Sequence, residues 1–576
     1  MFEQTMRMTL TPYIDLPYQW FGWLGWFIFL VALITGVLRH KKESGGSPQQ
    51  RGFIIVLLLV LVPICTLLFN FRVTNSELVS IPNLPIESIQ PVVVPLLALP
   101  LVLAAGFLEP AGAAILGLVS GLVFAIFGTH SIFTPLEVAG LGLAYGLAVR
   151  QKYRTLFFNL LRHPLGGAVI VAIGYIPIYL YGSFFTIPGS FAERMDFALT
   201  QNWFRIAVRG IELIVAGGLA EILYLSAPKL WPHPKHFTPS PAETSLQNRL
   251  TISVVPAAIA LLIALIVSDW VVAGNAAHKM VEERLSNTTK IVAESVPYFL
   301  EVGQSLITDT AASSLVDLPG EAIQNILSER IRNVPYFRQL YVYDSSLNLL
   351  AGYPKANLDQ FRLTLEEQTG LNLATNGVVV QTYTVPPSTG ESSAQISFIG
   401  SITDAQGNNR GVILGRTDLE SNPFTQPALN ALSAIAVDGG AGFILDDDQN
   451  ILFQTMETSA LDGNAQYLGQ TRIEEAFFED VSTTGTRQLV YFQPVVGRPW
   501  AVLASMPAQT AQQLALEMAI PLLLILMGMF ILIFLLIRIS MGALTGKLRQ
   551  LSDQARQIAD GKLEFPIKVQ GVDEIG

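Results

Sequence analysis

Residues 20–38 read WFGWLGWFIFLVALITGVL, an uncharged apolar run with no turn signal. A run of that length has one well-satisfied fold, a helix that closes its own backbone hydrogen bonds while its side chains face lipid. The sequence RHKK follows it. A secretory signal has its positive charge in front, so this is a retained membrane helix. Similar runs recur up to about residue 273, thin out between 274 and 515, and return at 516–538. Only 14% of the 576 residues are charged and 51% are hydrophobic, against about 25% charged in soluble domains. Two membrane regions therefore flank one soluble domain of about 240 residues.

At about 20 apolar residues per span, spans are expected near 20–38, 52–70, 92–108, 111–128, 134–149, 166–184, 204–225, 251–271 and 517–537. Lys and Arg in the short connections orient them. Arg39, Lys41, Lys42 and Arg51 follow the first span, Arg150, Lys152, Arg154 and Arg162 the fifth, and Lys229, Lys235 and Arg249 the seventh. The alternate connections offer only Arg72 and Arg194. Basic loops stay cytoplasmic, which predicts about nine spans in a bacterial plasma membrane, an external N-terminus, an extracytoplasmic 274–515 and a cytoplasmic C-terminus. The expected divisions are a seven-span module at 1–236, a cytoplasmic linker and eighth span at 237–273, the soluble domain at 274–515, a ninth span at 516–538 and a cytoplasmic helical segment at 539–576.

Several chemistries lack their parts. The net charge is −10 and no Lys/Arg cluster is present, so no nucleic-acid partner is expected. The single cysteine, Cys65, lies in an apolar run and can form neither an internal disulfide nor a cysteine metal site. The soluble domain holds one histidine, His278, so neither a hydrolytic triad nor a zinc site can be assembled. The acidic run 446–448 falls at a strand-to-strand turn, where a solvated loop competes with a Ca²⁺ site. No catalytic residue, metal or cofactor is expected.

In the membrane module, GLVSG (Gly117–Gly121) and GLAYG (Gly142–Gly146) space small residues four apart, which lets helix backbones approach closely. Pro63, Pro95, Pro100 and Pro177 lie inside spans and predict kinks or breaks. A tightly packed bundle and a cavity for a small or lipophilic ligand both satisfy this pattern. Arg209 and Glu212, three apart on one face of the seventh span, are intramembrane charges. They are either a functional site or a pair that satisfies itself.

The soluble domain opens with a helix running on from the eighth span, with Met280, Val281, Leu285, Ile291 and Val292 at three- and four-residue spacing. A second helix is expected near 319–332. Then LYVYDSSLNLLAGY reads as strand, turn, strand, and ISFIGSITDAQGNNRGVILGRTDL as a hairpin. GFILDDDQNILFQT and RQLVYFQPVVGRPWAVLASMP repeat that grammar, predicting two α/β modules in tandem, a distal one at about 331–420 and a proximal one at about 438–507. Tyr341 and Tyr343 share one strand face, and Arg338 has the chemistry to clamp a carboxylate with two hydrogen bonds. Packing tyrosines and a solvated Arg338 are the competing reading.

The membrane-anchored helix, the YFRQLYVYD and GVILGRTDL strands, and VYFQPVVGRPWAVLASMP running into a span resemble the double Cache (dCache) sensor domain of bacterial receptors. The resemblance implies a PAS-like fold with antiparallel sheets and a small-molecule ligand in the distal module. Members that bind amino acids carry an aromatic–Arg–Trp signature and a late acid. Tyr336 and Arg338 match its first part, no Trp follows, and Asp418 matches the acid.

Beyond the ninth span, Leu544, Leu548, Leu551, Ala555 and Ile558 recur at four, three, four and three residues, a seam that wants a partner helix. With DGKL, the connector EFPIKVQGV, and Asp573 and Glu574 opening a second helix, 539–576 resembles a HAMP linker. Gly546 stands where that family commonly has proline. HAMP implies a parallel coiled coil of two chains, hence a homodimer. It also implies a chain continuing into an output module (histidine kinase, chemotaxis, cyclase or phosphatase) with cytoplasmic partners such as a response regulator. The expected function is a transmembrane sensor of an extracytoplasmic small molecule. A transporter or membrane enzyme in the first seven spans, regulated by the sensor domain, is the alternative.

Overall fold

In the computed structural model, residues 12–17, 19–40, 48–68, 70–72, 92–228, 231, 237–240, 243, 246–355, 362–387, 393–448, 450–455, 474–481 and 486–559 are described. The chain divides into two compact units, Ala276–Ala511 and the remainder.

The membrane unit is helical: α1 (Trp20–Arg39), α2 (Pro48–Leu67), α3 (Leu99–Phe107), α4 (Pro110–Phe124), α5 (Thr134–Arg150), α6 (Leu156–Arg162), α7 (Pro164–Gly174), α8 (Ile176–Thr186), α9 (Phe191–Asp196) and α10 (Trp203–Ser226). Helix α11 (Leu246–Thr310) continues into the soluble unit, and α15 (Ala508–Ala559) leaves it. Four helical stretches among the described residues are long and apolar enough to cross a bilayer: Trp20–Arg39, Pro110–Thr129, Thr251–Thr310 and Ala508–Ser540. The pair α6 and α7, bent by 101°, makes a fifth if taken as one span.

Two of the expected spans take another form. The window 92–108 is not one helix. Its first residues are extended, with β2 (Val92–Val93) paired antiparallel to β1 (Phe71–Arg72), and only the nine residues of α3 are helical. Pro95 and Pro100 explain the division, because neither can donate a backbone hydrogen bond and Pro100 suits the first turn of a helix. The window 166–184 is two helices that part at Tyr175, where Pro177 in the first turn of α8 cannot bond back across the break.

The two glycine motifs meet. A Cβ on Gly117 would lie 2.6 Å from the Val138 carbonyl oxygen, and one on Gly142 would lie 2.5 Å from that of Ala113. Gly121 abuts Pro135 and Gly146 abuts Pro110, both at 2.8 Å. The motifs thus form the contact face of α4 on α5, backbone against backbone. Gly117→Val or Gly142→Val must push the helices apart and is expected to destabilise at the upper end of about 1–3 kcal/mol. Thermal unfolding of the detergent-solubilised protein reads this. Gly218→Ala, whose Cβ would meet nothing within 4 Å, is the neutral control.

The soluble unit holds α12 (Gly320–Asn333), α13 (Leu365–Thr375), α14 (Gln426–Ser433) and two five-stranded antiparallel sheets. The distal sheet has β3 (Gln339–Asp344), β4 (Leu349–Tyr353), β5 (Val380–Val385), β6 (Gln395–Thr403) and β7 (Asn409–Thr417) in the order β4-β3-β7-β6-β5. The proximal sheet has β8 (Ala441–Leu445), β9 (Ile451–Gln454), β10 (Ala476–Val481), β11 (Arg487–Pro494) and β12 (Ala501–Pro507) in the order β10-β11-β12-β8-β9. One core runs along α11 and takes in a face of each sheet. Val281, Leu285, Val292, Phe299 and Ile307 of the helix pack with Val342, Phe398 and Ile413 of the distal sheet and Ile444, Val502 and Met506 of the proximal one. Met280 and Ile291, grouped with that stripe by spacing, are instead exposed.

Three hairpin tips share a device. In DSSLN, DAQGN and DDDQN the aspartate accepts hydrogen bonds from the backbone and side-chain amides of the asparagine four residues on: Asp344 from Asn348 at 2.8 and 2.9 Å, Asp404 from Asn408 at 2.8 and 3.1 Å, and Asp446 from Asn450 at 2.6 and 2.8 Å. Both Asp446 oxygens are thus engaged. No group of three or more metal-ligating side chains occurs among the described residues. The Asn348 side-chain amide holds Asp344 below the ordinary value of 3.8, and the Asn408 backbone N–H does the same for Asp404. Their stabilisation is complete above 3.8 and is lost as pH falls through the lower folded values. Burial shifts Asp446 the other way. Protection of the amides at the two distal tips, with the intrinsic exchange rate divided out, is therefore expected to fall as pH drops below 3.8, and Asp344→Asn should flatten that response at its own tip.

Candidate ligand-binding site

The distal sheet has two faces because side chains alternate along each strand. Leu340, Val342, Phe398 and Ile413 face α11. The other face carries Tyr341, Tyr343, Ile399, Val412 and Leu414, and with Leu371 and Ala374 of α13 these form a separate cluster. Register places Gln339, Arg416, Ser397 and Tyr383 in one row across that face. A polar row in an otherwise apolar layer is the feature that sets this face apart.

Arg416 is the centre of the row. Its side chain is 9% exposed and that of Glu367, on α13, is fully buried. Nε donates to Glu367 Oε1 at 2.8 Å, and Nη2 donates to Oε2 at 2.5 Å and to the Arg362 carbonyl at 2.8 Å. Glu367 also closes a capping box, accepting from the Thr364 N–H at 2.9 Å while the Thr364 hydroxyl accepts from its own N–H at 3.2 Å. Thr-Leu-Glu-Glu therefore starts α13 and aims a carboxylate at the sheet with the same residue. Beside it the Ser397 hydroxyl is buried with no hydrogen-bond partner among the described residues, which is unfavourable unless something else supplies one. Tyr341 donates to Gln339 Oε1 at 3.3 Å. Burial pushes its hydroxyl up to about 12, against the opposing pull of Arg416, so it stays a neutral donor.

The residues singled out from sequence fall in two places. Tyr341 and Tyr343 lie on the polar-row face, both buried. Tyr336 lies on the α11 side, stacked on Phe299 and donating to the Phe299 carbonyl at 2.6 Å. Arg338, out of phase with Tyr341, is 58% exposed and paired with buried Asp418, which also accepts from the Ser421 N–H at 2.6 Å. Arg338 and Asp418 thus meet each other at the end of the sheet and do not converge with the tyrosines. Arg416, Glu367 and Ser397 were not singled out from sequence. The available signals were the capping box TLEE and a lone arginine inside the apolar strand GVILGRTDL. The matching face of the proximal sheet is apolar, built from Phe443, Leu445, Val490 and Leu503.

In the membrane unit Arg209 and Glu212 are ion-paired, with side chains 12% and 3% exposed. Glu212 Oε1 accepts from the Val94 N–H at 2.6 Å, Arg209 Nη2 donates to the Val92 carbonyl at 3.0 Å, and the guanidinium lies 4.2 Å from the Phe124 ring centroid. The pair therefore supplies hydrogen bonds that the extended segment cannot make for itself. Of the seam residues, Leu544, Leu548, Leu551, Ala555 and Ile558 belong to α15 and Ala555 is exposed. Asp573 and Glu574 lie outside the described residues.

No protein-family profile and no curated protein matches the chain. Solved structures do. The ligand-binding domain of the Pseudomonas fluorescens chemoreceptor CtaA with L-serine is 20% identical and covers 40% of this chain and 99% of its own, with a TM-score of 0.30. That of the Pseudomonas aeruginosa PAO1 amino acid chemoreceptor PctC with GABA is 19% identical and covers 39% and 99%, with a TM-score of 0.29. That of the Campylobacter jejuni chemoreceptor Tlp3 with L-norvaline is 14% identical and covers 41% and 94%, with a TM-score of 0.31. All three are ligand-binding domains of chemoreceptors.

Proposed function

We propose that this chain is the sensory part of a dimeric bacterial transmembrane receptor. It binds a small polar molecule between α13 and the distal sheet and passes the signal through α15 to a HAMP-type coiled coil and an output module beyond it. The observation that carries this reading is the cluster of Arg416 and Ser397 in the row with Glu367 of α13 against them. It offers a cation, an anion and a free hydroxyl on one buried face, as a small zwitterion requires. Strand β12 ends at Pro507 and α15 begins at Ala508, so the sheet is joined directly to the helix that bears the apolar run and the seam. A dimer is supported by Met280, Ile291 and Tyr298. Spaced 11 and 7 residues apart on α11, they share one helical face and are 52%, 55% and 61% exposed.

The test of the ligand is a thermal-shift titration of the full chain with L-serine and GABA, the ligands of two of the compared domains, within a wider set of amino acids. Stabilisation that saturates in wild type and is absent from a variant without the Arg416–Glu367 pair is the expected result. No stabilisation by any member at about 1,000 times a micromolar Kd, where about 4 kcal/mol is expected, sinks the reading. Transmission has its own test. Leu551→Glu sets like charges against each other across a two-chain seam and is expected to abolish the ligand-dependent signal and the dimer contact of α15. Unchanged dimerisation and signalling in that variant count against a HAMP mechanism.

A further inference from the structure

The membrane unit encloses a cavity of about 550 Å³, within the size range of small-molecule sites. Phe124, Phe133, Phe197 and Ile206 give it apolar walls. Much of its lining comes from segments within 14–17, 129–134, 183–188 and 197–209, the ends that the charge pattern puts outside the cell.

The polar groups of this cavity divide into those already engaged and those that are not. Arg209 is engaged with Glu212 and the Val92 carbonyl. Asn202 donates to Ser183, and His130 Nδ1 is bonded to the Tyr13 carbonyl at 3.1 Å. Arg205 lies 5.3 Å from the Phe197 ring centroid. Two groups stand apart. Tyr179 is 8% exposed and its hydroxyl has no hydrogen-bond partner among the described residues. Glu137 lines the same cavity; among the described residues its carboxylate makes no hydrogen bond, and the charges of Arg209 and Arg205 act on it through space. Space is kept for that carboxylate by Gly182, where a Cβ would fall 1.9 Å from Glu137 Oε1.

A carboxylate that no donor reaches and a buried hydroxyl that bonds no group among the described residues are costly in a membrane protein. Their shared chemistry is acceptance: the carboxylate only accepts, and a tyrosine oxygen accepts as well as donates. We propose that this cavity is a second ligand site, for a small organic amine whose apolar body fills the aromatic walls and whose ammonium is held by Glu137 and Tyr179. The site is independent of the distal module, so the receptor reading and this one stand or fall separately.

The experiment is equilibrium binding of labelled tryptamine to the full chain in lipid nanodiscs. Tryptophol and indole-3-acetate, which keep the ring and change the head group, are the comparison probes. Tryptamine is expected to bind saturably, tryptophol more weakly, and indole-3-acetate not at all. Glu137→Gln should weaken tryptamine at least about tenfold and leave tryptophol unchanged. Gly182→Ala, which displaces the carboxylate, should weaken tryptamine similarly. Tyr179→Phe removes a hydroxyl that bonds nothing among the described residues, so its fold is expected to be intact, and it should weaken both tryptamine and tryptophol several-fold. Loss of the Arg416–Glu367 pair should leave tryptamine binding unchanged. The proposal is overturned if indole-3-acetate binds as well as tryptamine, if well-folded Tyr179→Phe and Glu137→Gln bind as wild type does, or if none of the probes binds saturably by about 1 mM.

Discussion

Glu367→Ala is expected to destabilise the soluble unit by about 3–5 kcal/mol, because it leaves the Arg416 guanidinium buried without a counter-charge. Arg416→Ala should do comparable damage from the other side, stranding a carboxylate that is fully buried and loosening the start of α13, where the same carboxylate caps Thr364. The informative variant is the double replacement Arg416→Met with Glu367→Leu. Apolar groups of similar volume in place of a buried pair are often neutral for stability. The double variant should therefore recover most of what either alanine loses, short of the about 1 kcal/mol attached to the capping box. If the pair exists for ligand recognition, the double variant folds and does not bind. Unfolding midpoints for the three proteins, beside the amino-acid titration, separate the roles. A stable double variant that still binds would move the ligand site elsewhere. A double variant as unstable as the single ones would mark the pair as structural.

The contrast between what could and could not be read in the sequence has a physical pattern. Features set by neighbours along the chain were legible. The DSSLN, DAQGN and DDDQN tips announce hairpins because aspartate and asparagine four apart bond locally, and the observed strands flank each of them. The glycine motifs announced close helix approach because four residues are about one helical turn. That they would face each other, Gly117 on Val138 and Gly142 on Ala113, needs the fold. Hydropathy identifies 92–108 and 166–184 as apolar but not their backbone, since Val, Leu and Ile suit lipid in either conformation, and the prolines in these windows predict kinks or breaks without deciding between the two. Arg416 and Glu367 lie 49 residues apart, and no periodicity links them. Arg338 and Asp418 stood out by resemblance, yet side-chain parity along β3 separates Arg338 from Tyr341.

In the membrane unit, Glu212→Ala is expected to unfold the region around α3, with a loss of about 3–5 kcal/mol. Two consequences coincide. Arg209 loses its counter-charge in a buried site, and the Val94 N–H loses its acceptor where no helix hydrogen bond replaces it. Glu212→Gln keeps an acceptor for Val94 and removes the charge, so it should fall between alanine and wild type. Arg209→Ala frees the Val92 carbonyl and uncovers Phe124. The prediction discriminates between a clamp and a transport site. A clamp makes thermal stability fall in the order wild type, Gln, Ala, and whatever the membrane unit does should decline in step with the folded fraction. A transport or catalytic site makes Glu212→Gln inactive while the protein melts as wild type does. Melting curves of the three proteins in one detergent decide it. Indistinguishable midpoints would exclude the clamp and turn attention to the charge of Glu212 itself.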